Sequence, residues 1–204
     1  SNSRKCIIVN GSGVDLEEYP SSLVEEFNSF LMVTRMNKDK GLVEYVDAAK
    51  IIKKRFPHVQ FYLAGWFDSS ASSVKKSTLD RWVGSGVINF LGFLEDVRPA
   101  IKKSSVFVLP SYREGTPRTV LEAMSMGRAI ITTDAPGCRE TVKDGENGYL
   151  VPIQDVGALV IAMEKFVDNA ELVEKMGKRS REIAVSKYDA HKVNSVILET
   201  MGLM

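Results

Sequence analysis

Short apolar runs alternate along this chain with stretches whose apolar residues recur every three or four positions, and few architectures accept that alternation. The strand-like runs are Cys6–Val9, Phe30–Thr34, Gln60–Ala64, Val87–Leu91, Val106–Leu109, Ala129–Thr132 and Tyr149–Val151. Leu42, Tyr45, Val46, Ala49, Ile52 and Phe56 line one face of a helix between two of them. Shorter helical patterns cover Val74–Val83, Val97–Lys103 and Pro117–Met126. Runs without polar alternation are strands buried on both faces, so the predicted fold is α/β, a doubly wound and mostly parallel sheet. After Pro152 helix follows helix, over Asp155–Val167, Ala170–Val185 and Asp189–Met201. We therefore expect one domain over residues 1–204, with an α/β core over about 5–152 and a helical extension over 153–204. The apolar face Val193, Val196, Ile197 and Met201 calls for cover from a partner domain outside the chain. Ser69–Ser73 reads as a flexible polar connection.

Composition removes several classes. A net charge of +1 gives no footprint for nucleic acid or an anionic surface. Cys6 and Cys138 form neither metal spacing nor a disulfide framework, and His58 and His191 read as surface residues. No apolar run approaches the ~20 residues of a membrane span, and no signal peptide opens the chain, so a cytoplasmic location is expected. No Gly-x-x-x-x-Gly-Lys-Ser/Thr loop occurs, and Gly11-Ser12-Gly13 fails the dinucleotide fingerprint because Val14-Asp15-Leu16 follows it. Neither an Asp-x-Asp pair nor a His cluster offers a metal site.

Chemistry concentrates in Ser111–Met124, just after the run Val106–Leu109. Thr116 is placed to cap a helix and Pro117 suits its first position, where a missing N–H costs nothing. With Gly115 beside it, that helix start is a natural anion site. Six helical steps separate Thr116 from Glu122, about 9 Å along the axis. Glu114 and Glu122 could thus hold hydroxyls at the two ends of a phosphate-bearing ligand, or could simply be dipole partners of the helix.

Arg35 and Lys40 bracket the loop Met36–Asp39 that leads into a helix at Gly41. The pair can clamp a diphosphate, Arg through its planar fork and Lys as a point charge. The same residues fit a solvated basic loop in which Asp39 pairs locally. Gly92–Asp96 fits either backbone contacts to a base edge or a plain turn capped by Asp96, and the clusters at Gly137–Thr141 and Asp144–Gly148 fit turns.

Taken together, Asn10-Gly11 with Asp15, Arg35 with Lys40-Gly41, Phe90-Leu91-Gly92, Pro110-Ser111, the pair Glu114 and Glu122, Glu122-Ala123-Met124 to Gly127, and Asp144-Gly145 with Asn147-Gly148 resemble a known family. They are similar to the C-terminal, donor-binding domain of family 4 retaining glycosyltransferases, whose GT-B architecture pairs two Rossmann-like domains. Arg113–Arg118 with Asp134–Glu140 resembles bacterial enzymes that build surface glycans. The resemblance implies a UDP-linked sugar donor and transfer of a hexose or N-acetylhexosamine to a glycan or lipid-linked acceptor. It implies no metal or other cofactor. Arg35 and Lys40 would hold the diphosphate, Glu114 the sugar hydroxyls, and Glu122 the ribose. Gly115, Thr116, Arg118 and Thr119 would contact sugar and phosphate, and Leu94 and Asp96 would meet the base. An N-terminal acceptor domain would lie outside this chain, which alone should turn over little, and the full-length protein could attach peripherally to the inner face of the membrane. Thr34 and Thr116 depart from the family's usual Gly and aromatic, which bears on sugar preference. Two other readings stay open: a nucleotide-sugar epimerase, detected by epimer formation without acceptor, and a non-catalytic doubly wound binding module, which would ignore nucleotides.

Overall fold

A computed structural model describes residues 11–201 and 203. The strand expected at Cys6–Val9, with Cys6 and Asn10, lies outside the described residues. Six strands form one sheet: β1 (Ser29–Val33), β2 (Gln60–Ala64), β3 (Asn89–Phe90), β4 (Val106–Leu109), β5 (Ala129–Thr133) and β6 (Gly148–Val151). Their spatial order is β3-β2-β1-β4-β5-β6, and every pairing is parallel. β1, β4 and β5 are buried along their whole length, as continuous apolar runs require in a sheet covered on both faces. β3 is shorter than the run Val87–Leu91 because it is an edge strand that pairs with β2 alone.

The helices are α1 (Leu42–Arg55), α2 (Lys76–Gly84), α3 (Arg98–Lys103), α4 (Arg118–Ser125), α5 (Val156–Glu164), α6 (Ala170–Lys187) and α7 (Ala190–Met201). α1 buries Leu42, Tyr45, Val46, Ala49 and Ile52, the face read from their spacing, and packs against α5. The Tyr45 hydroxyl reaches the carbonyls of Phe30 and Tyr62, at 2.9 and 3.0 Å, which ties α1 to two strands. α5 starts where Asp155 accepts the Ala158 amide, and α6 where Asn169 accepts that of Leu172. On the other face α4 packs on α6. Val193 of α7 is buried while Val196 and Met201 stay exposed, so this helix is covered on one side only.

Arg128 anchors the strap that precedes β1. The residue is 1 % exposed, and its guanidinium donates to the carbonyls of Ile101, Ser22, Leu23 and Gly127 and to the Ser22 hydroxyl. Burial pulls its pKa down to about 10. A cavity of about 500 Å³ opens beside it, lined by Leu23, Phe27, Lys178 and Arg181 among others. The Arg128 donors there are all taken by the protein, which leaves none to hold a ligand.

Candidate functional site

The connections from β1 and β4 leave the sheet toward opposite faces, since the strand order reverses between these two neighbours. Such a reversal opens a crevice outside the carboxyl ends of the strands, where ligands of doubly wound sheets bind. Three loops meet there, Thr34–Gly41, Pro110–Pro117 and Asp134–Cys138. The Tyr112 amide donates to the Asp39 carbonyl at 2.9 Å, and the Glu114 amide to that of Pro136 at 3.1 Å. The Thr133 hydroxyl donates to the Ser111 carbonyl. Glycine is required at two of these seams. A Cβ on Gly41 (φ 74°) would lie 2.1 Å from the Pro110 oxygen, and one on Gly137 (φ 83°) 2.0 Å from that of Gly115.

The charged groups at this crevice come in pairs. Lys40 Nζ lies 2.7 Å from Glu114 Oε1, with the two side chains only 10 and 16 % exposed. Asp39, adjacent to Lys40, is therefore not its partner. Glu122 is buried on α4, and Arg118, one turn earlier and largely exposed, donates to it through Nε at 3.0 Å. The Tyr19 phenol lies close enough to the same carboxylate for each to shift the other's titration. Burial raises the pKa of Glu122, opposed by the charge of Arg118, the nearby Tyr19 phenol and the hydrogen bond from Arg118. Burial also pushes Tyr19 up to about 12, helped by the charges of Glu122 and Glu18.

Arg35 stands apart from Lys40. It is half exposed and pairs with Asp68 at 3.2 Å. The serine loop expected to be flexible is fastened to this end of the crevice. Ser70 donates to the Asn37 side chain, which in turn donates to Asp68, and the Lys38 amide bonds the Ser72 carbonyl. The amide of Ser70 is the largest influence holding the Asp68 carboxyl below its usual range.

The start of α4 differs from its sequence reading. Pro117, in extended conformation, is the cap residue rather than the first helical one, and no side chain caps this end. The Thr116 side chain instead lies against Gly11, close enough that a Cβ there would sit 2.7 Å from it. Glu122 is thus five steps past the cap, about 7.5 Å along the axis instead of 9 Å. An uncapped start leaves first-turn amides, around Arg118 and Thr119, open to a ligand beside exposed Gly115. Leu94 is half-buried against the core. Asp96 is exposed, and its carboxylate takes the Arg98 amide at 2.9 Å and the Arg98 guanidinium at 2.8 Å, so the turn reading describes its side chain.

Sequence reasoning missed Asp68 and Tyr19. Asp68 follows the carboxyl end of β2, so the rule that ligands gather at strand ends could have flagged it. Tyr19 carried no local signal, being brought to Glu122 only by the strap that Arg181 and Ser125 hold through the Tyr19 carbonyl.

A wholly parallel sheet flanked by helices, with its strand order reversing between β1 and β4, defines a Rossmann-like domain. The family described as glycosyl transferases group 1 matches residues 16–183, and the chain belongs to it. The putative glycosyltransferase EpsD of Bacillus subtilis is 28 % identical over 201 residues, covering 92 % of this chain and 52 % of that protein. An N,N'-diacetylbacillosaminyl-diphospho-undecaprenol alpha-1,3-N-acetylgalactosaminyltransferase of Campylobacter jejuni is 29 % identical over 159 residues, covering 78 % of this chain and 40 % of that protein. The chain spans about half the length of the curated relatives it matches. Among solved structures, HepE of Anabaena in complex with UDP superposes with a TM-score of 0.82 at 22 % identity, covering 94 % of this chain and 56 % of that one.

Proposed function

We propose that this chain is the donor-binding domain of a retaining, family 4 glycosyltransferase that moves a hexose or N-acetylhexosamine from a UDP-sugar to a glycan or lipid-linked acceptor. The observation that carries the proposal is the Lys40–Glu114 pair at the switch point, beside the uncapped start of α4. The UDP held by HepE and the diphospho-undecaprenol in the Campylobacter relative's name support the donor and acceptor classes. In transfer the bond from the sugar's anomeric carbon to the diphosphate oxygen breaks with its electron pair, the acceptor hydroxyl oxygen bonds to that carbon, and the hydroxyl's proton passes to the departing diphosphate or to water as UDP leaves. Arg35 and Lys40 offset the charge of that diphosphate, each by turning from its carboxylate partner toward phosphate. Glu114 takes sugar hydroxyls and Glu122 the ribose hydroxyls. Gly115, Thr116, Arg118 and Thr119 bound the sugar and phosphates, and the Leu94–Asp96 turn bounds the base. No metal or other cofactor is required. The acceptor side lies outside this chain, which alone turns over little. The protein works in the cytoplasm, with its full-length form at the inner membrane face.

Calorimetric titration with UDP, UDP-glucose and UDP-N-acetylglucosamine is the direct test. Glu122→Ala is expected to weaken binding about ten- to a hundredfold, the loss of a charge-assisted hydrogen bond of roughly 1.5–3 kcal/mol. Failure of every nucleotide to bind the wild-type chain would sink the proposal.

The raised pKa of Glu122 adds a pH dependence. Ribose hydroxyls donate to the ionised carboxylate, so UDP-glucose affinity is expected to fall as pH drops through that raised value, earlier than for an exposed glutamate. The stability contribution runs the other way. The folded state binds the proton more tightly than the unfolded chain, so stability falls as pH rises from the ordinary carboxyl value through the raised one. Glu122→Gln should flatten both profiles, and an unchanged affinity profile in that variant would assign the titration elsewhere.

A further inference from the structure

Glu44 is the least explained ionisable group near the crevice. It sits in the first turn of α1, only 8 % exposed, beside the buried Leu42, Tyr45 and Val46 of the same helix. Its Oε1 accepts the Tyr112 hydroxyl at 2.6 Å. Its Oε2 is buried and accepts no hydrogen bond. A desolvated carboxylate with one satisfied oxygen is costly, and an apolar or amide residue would serve the helix at least as well. The cost is explicable if the one bond it makes matters to the loop it holds.

That loop carries Glu114. Tyr112 lies two residues before it and is fixed at both ends. Its amide donates to the Asp39 carbonyl next to Lys40, and its hydroxyl donates to Glu44 on α1. The Ser111 hydroxyl also reaches the Asp39 carbonyl, at 3.3 Å. Tyr112 therefore bridges the loop after β1, the loop after β4 and the start of α1. On its far side the Glu114 amide is held by Pro136. Burial, then the hydrogen bond to Glu44, raises the pKa of the Tyr112 hydroxyl, which keeps it a donor. Of the bonds named here, the one to Glu44 is the one on Tyr112's side of Glu114 that ties the loop to α1, the others reaching the short 3-10 turn Lys38–Lys40.

We propose that the Tyr112–Glu44 hydrogen bond is the positioning device that sets Glu114 against Lys40, so that Glu44, with no ligand contact of its own, governs recognition of the sugar half of the donor. The inference rests on the nucleotide-sugar reading for its binding arm and on the geometry alone for its structural arm.

The experiment compares wild type, Tyr112→Phe, Glu44→Leu and Glu44→Gln by amide hydrogen exchange and by calorimetry with UDP and UDP-glucose. Tyr112→Phe and Glu44→Leu should speed exchange at the Tyr112 and Glu114 amides by about tenfold or more, with β4 still protected. The same two variants should weaken UDP-glucose at least about tenfold more than they weaken UDP. Glu44→Gln keeps an acceptor for the phenol, removes the buried charge, and should restore both readouts. Unchanged exchange in Tyr112→Phe and Glu44→Leu overturns the proposal, as does a loss of protection spread evenly through β4 or a failure of Glu44→Gln to restore the loop. If Tyr112→Phe does not fold, the two Glu44 variants decide. Should the wild-type chain bind neither nucleotide, the donor reading falls while the exchange result still decides the positioning claim.

Discussion

Arg128→Met is expected to remove about 3–5 kcal/mol of stability, a large part of the roughly 5–15 kcal/mol that holds a domain together. The side chain is a buried guanidinium whose partners are all neutral, four backbone carbonyls and one hydroxyl. Methionine fills much of the volume but donates to none of them. The carbonyls of Ile101, Ser22 and Leu23 then lose a charge-assisted partner in a partly dry setting, at about 1–3 kcal/mol for each left unsatisfied. Water entering through the neighbouring cavity limits the total, which is why the expected loss is below the sum. For a domain of this size each kcal/mol moves the melting temperature by about 2–4 °C, so a drop near 10 °C is expected. Arg128→Lys should be nearly as damaging, because one ammonium cannot span acceptors on three segments. Urea unfolding measures it directly. A loss below about 1 kcal/mol would mean that the strap is held by its other contacts.

Lys40→Met is expected to act twice. The substitution strands the carboxylate of Glu114, 16 % exposed, without its 2.7 Å partner. Breaking a buried pair from one side costs about 3–5 kcal/mol. Lys40→Met combined with Glu114→Leu should recover most of that loss, since the uncompensated charge goes with its partner. The second effect is on the ligand. With the ammonium gone from the switch point, affinity for a UDP-sugar should fall about a hundredfold, near 3 kcal/mol, and the double variant should not regain it. Recovery of stability without recovery of affinity separates the two roles. Full affinity in Lys40→Met would remove this lysine from the donor site.

The local patterns carried most of the fold. β2 and β4 fall at the residues their apolar runs indicate, and the α1 face is the one its spacing indicates, because burial on both sides of a parallel strand and on one side of a helix leaves a periodic trace. The start of α4 was misread for a tertiary reason. Thr116 and Pro117 satisfy local rules for a cap and a first turn, yet contact with Gly11 holds the threonine away and moves the helix start by one residue. At the crevice, sequence motifs named Lys40, Glu114, Arg118 and Glu122 but could not pair them all. Arg118 and Glu122 are one helical turn apart and legible as neighbours. Lys40 and Glu114 are separated by 74 positions and meet only through the strand order. Tyr19, Glu44 and Arg128 gave no local sign, since each owes its role to a partner elsewhere in the chain, and Asp68 was marked only by its place after a strand end.

Three cations at the crevice are already matched by carboxylates: Arg35 by Asp68, Lys40 by Glu114, Arg118 by Glu122. Cations matched in this way project less field into solvent than bare ones, so they draw an approaching dianion only weakly from a distance. Capture by these three then depends on an exchange of partners at contact. Selectivity follows from the same fact. Bare phosphate, or any small anion abundant in a cell, offers too few hydroxyls to satisfy the carboxylates it would displace, and so competes poorly with a ligand that brings both charge and hydroxyl groups.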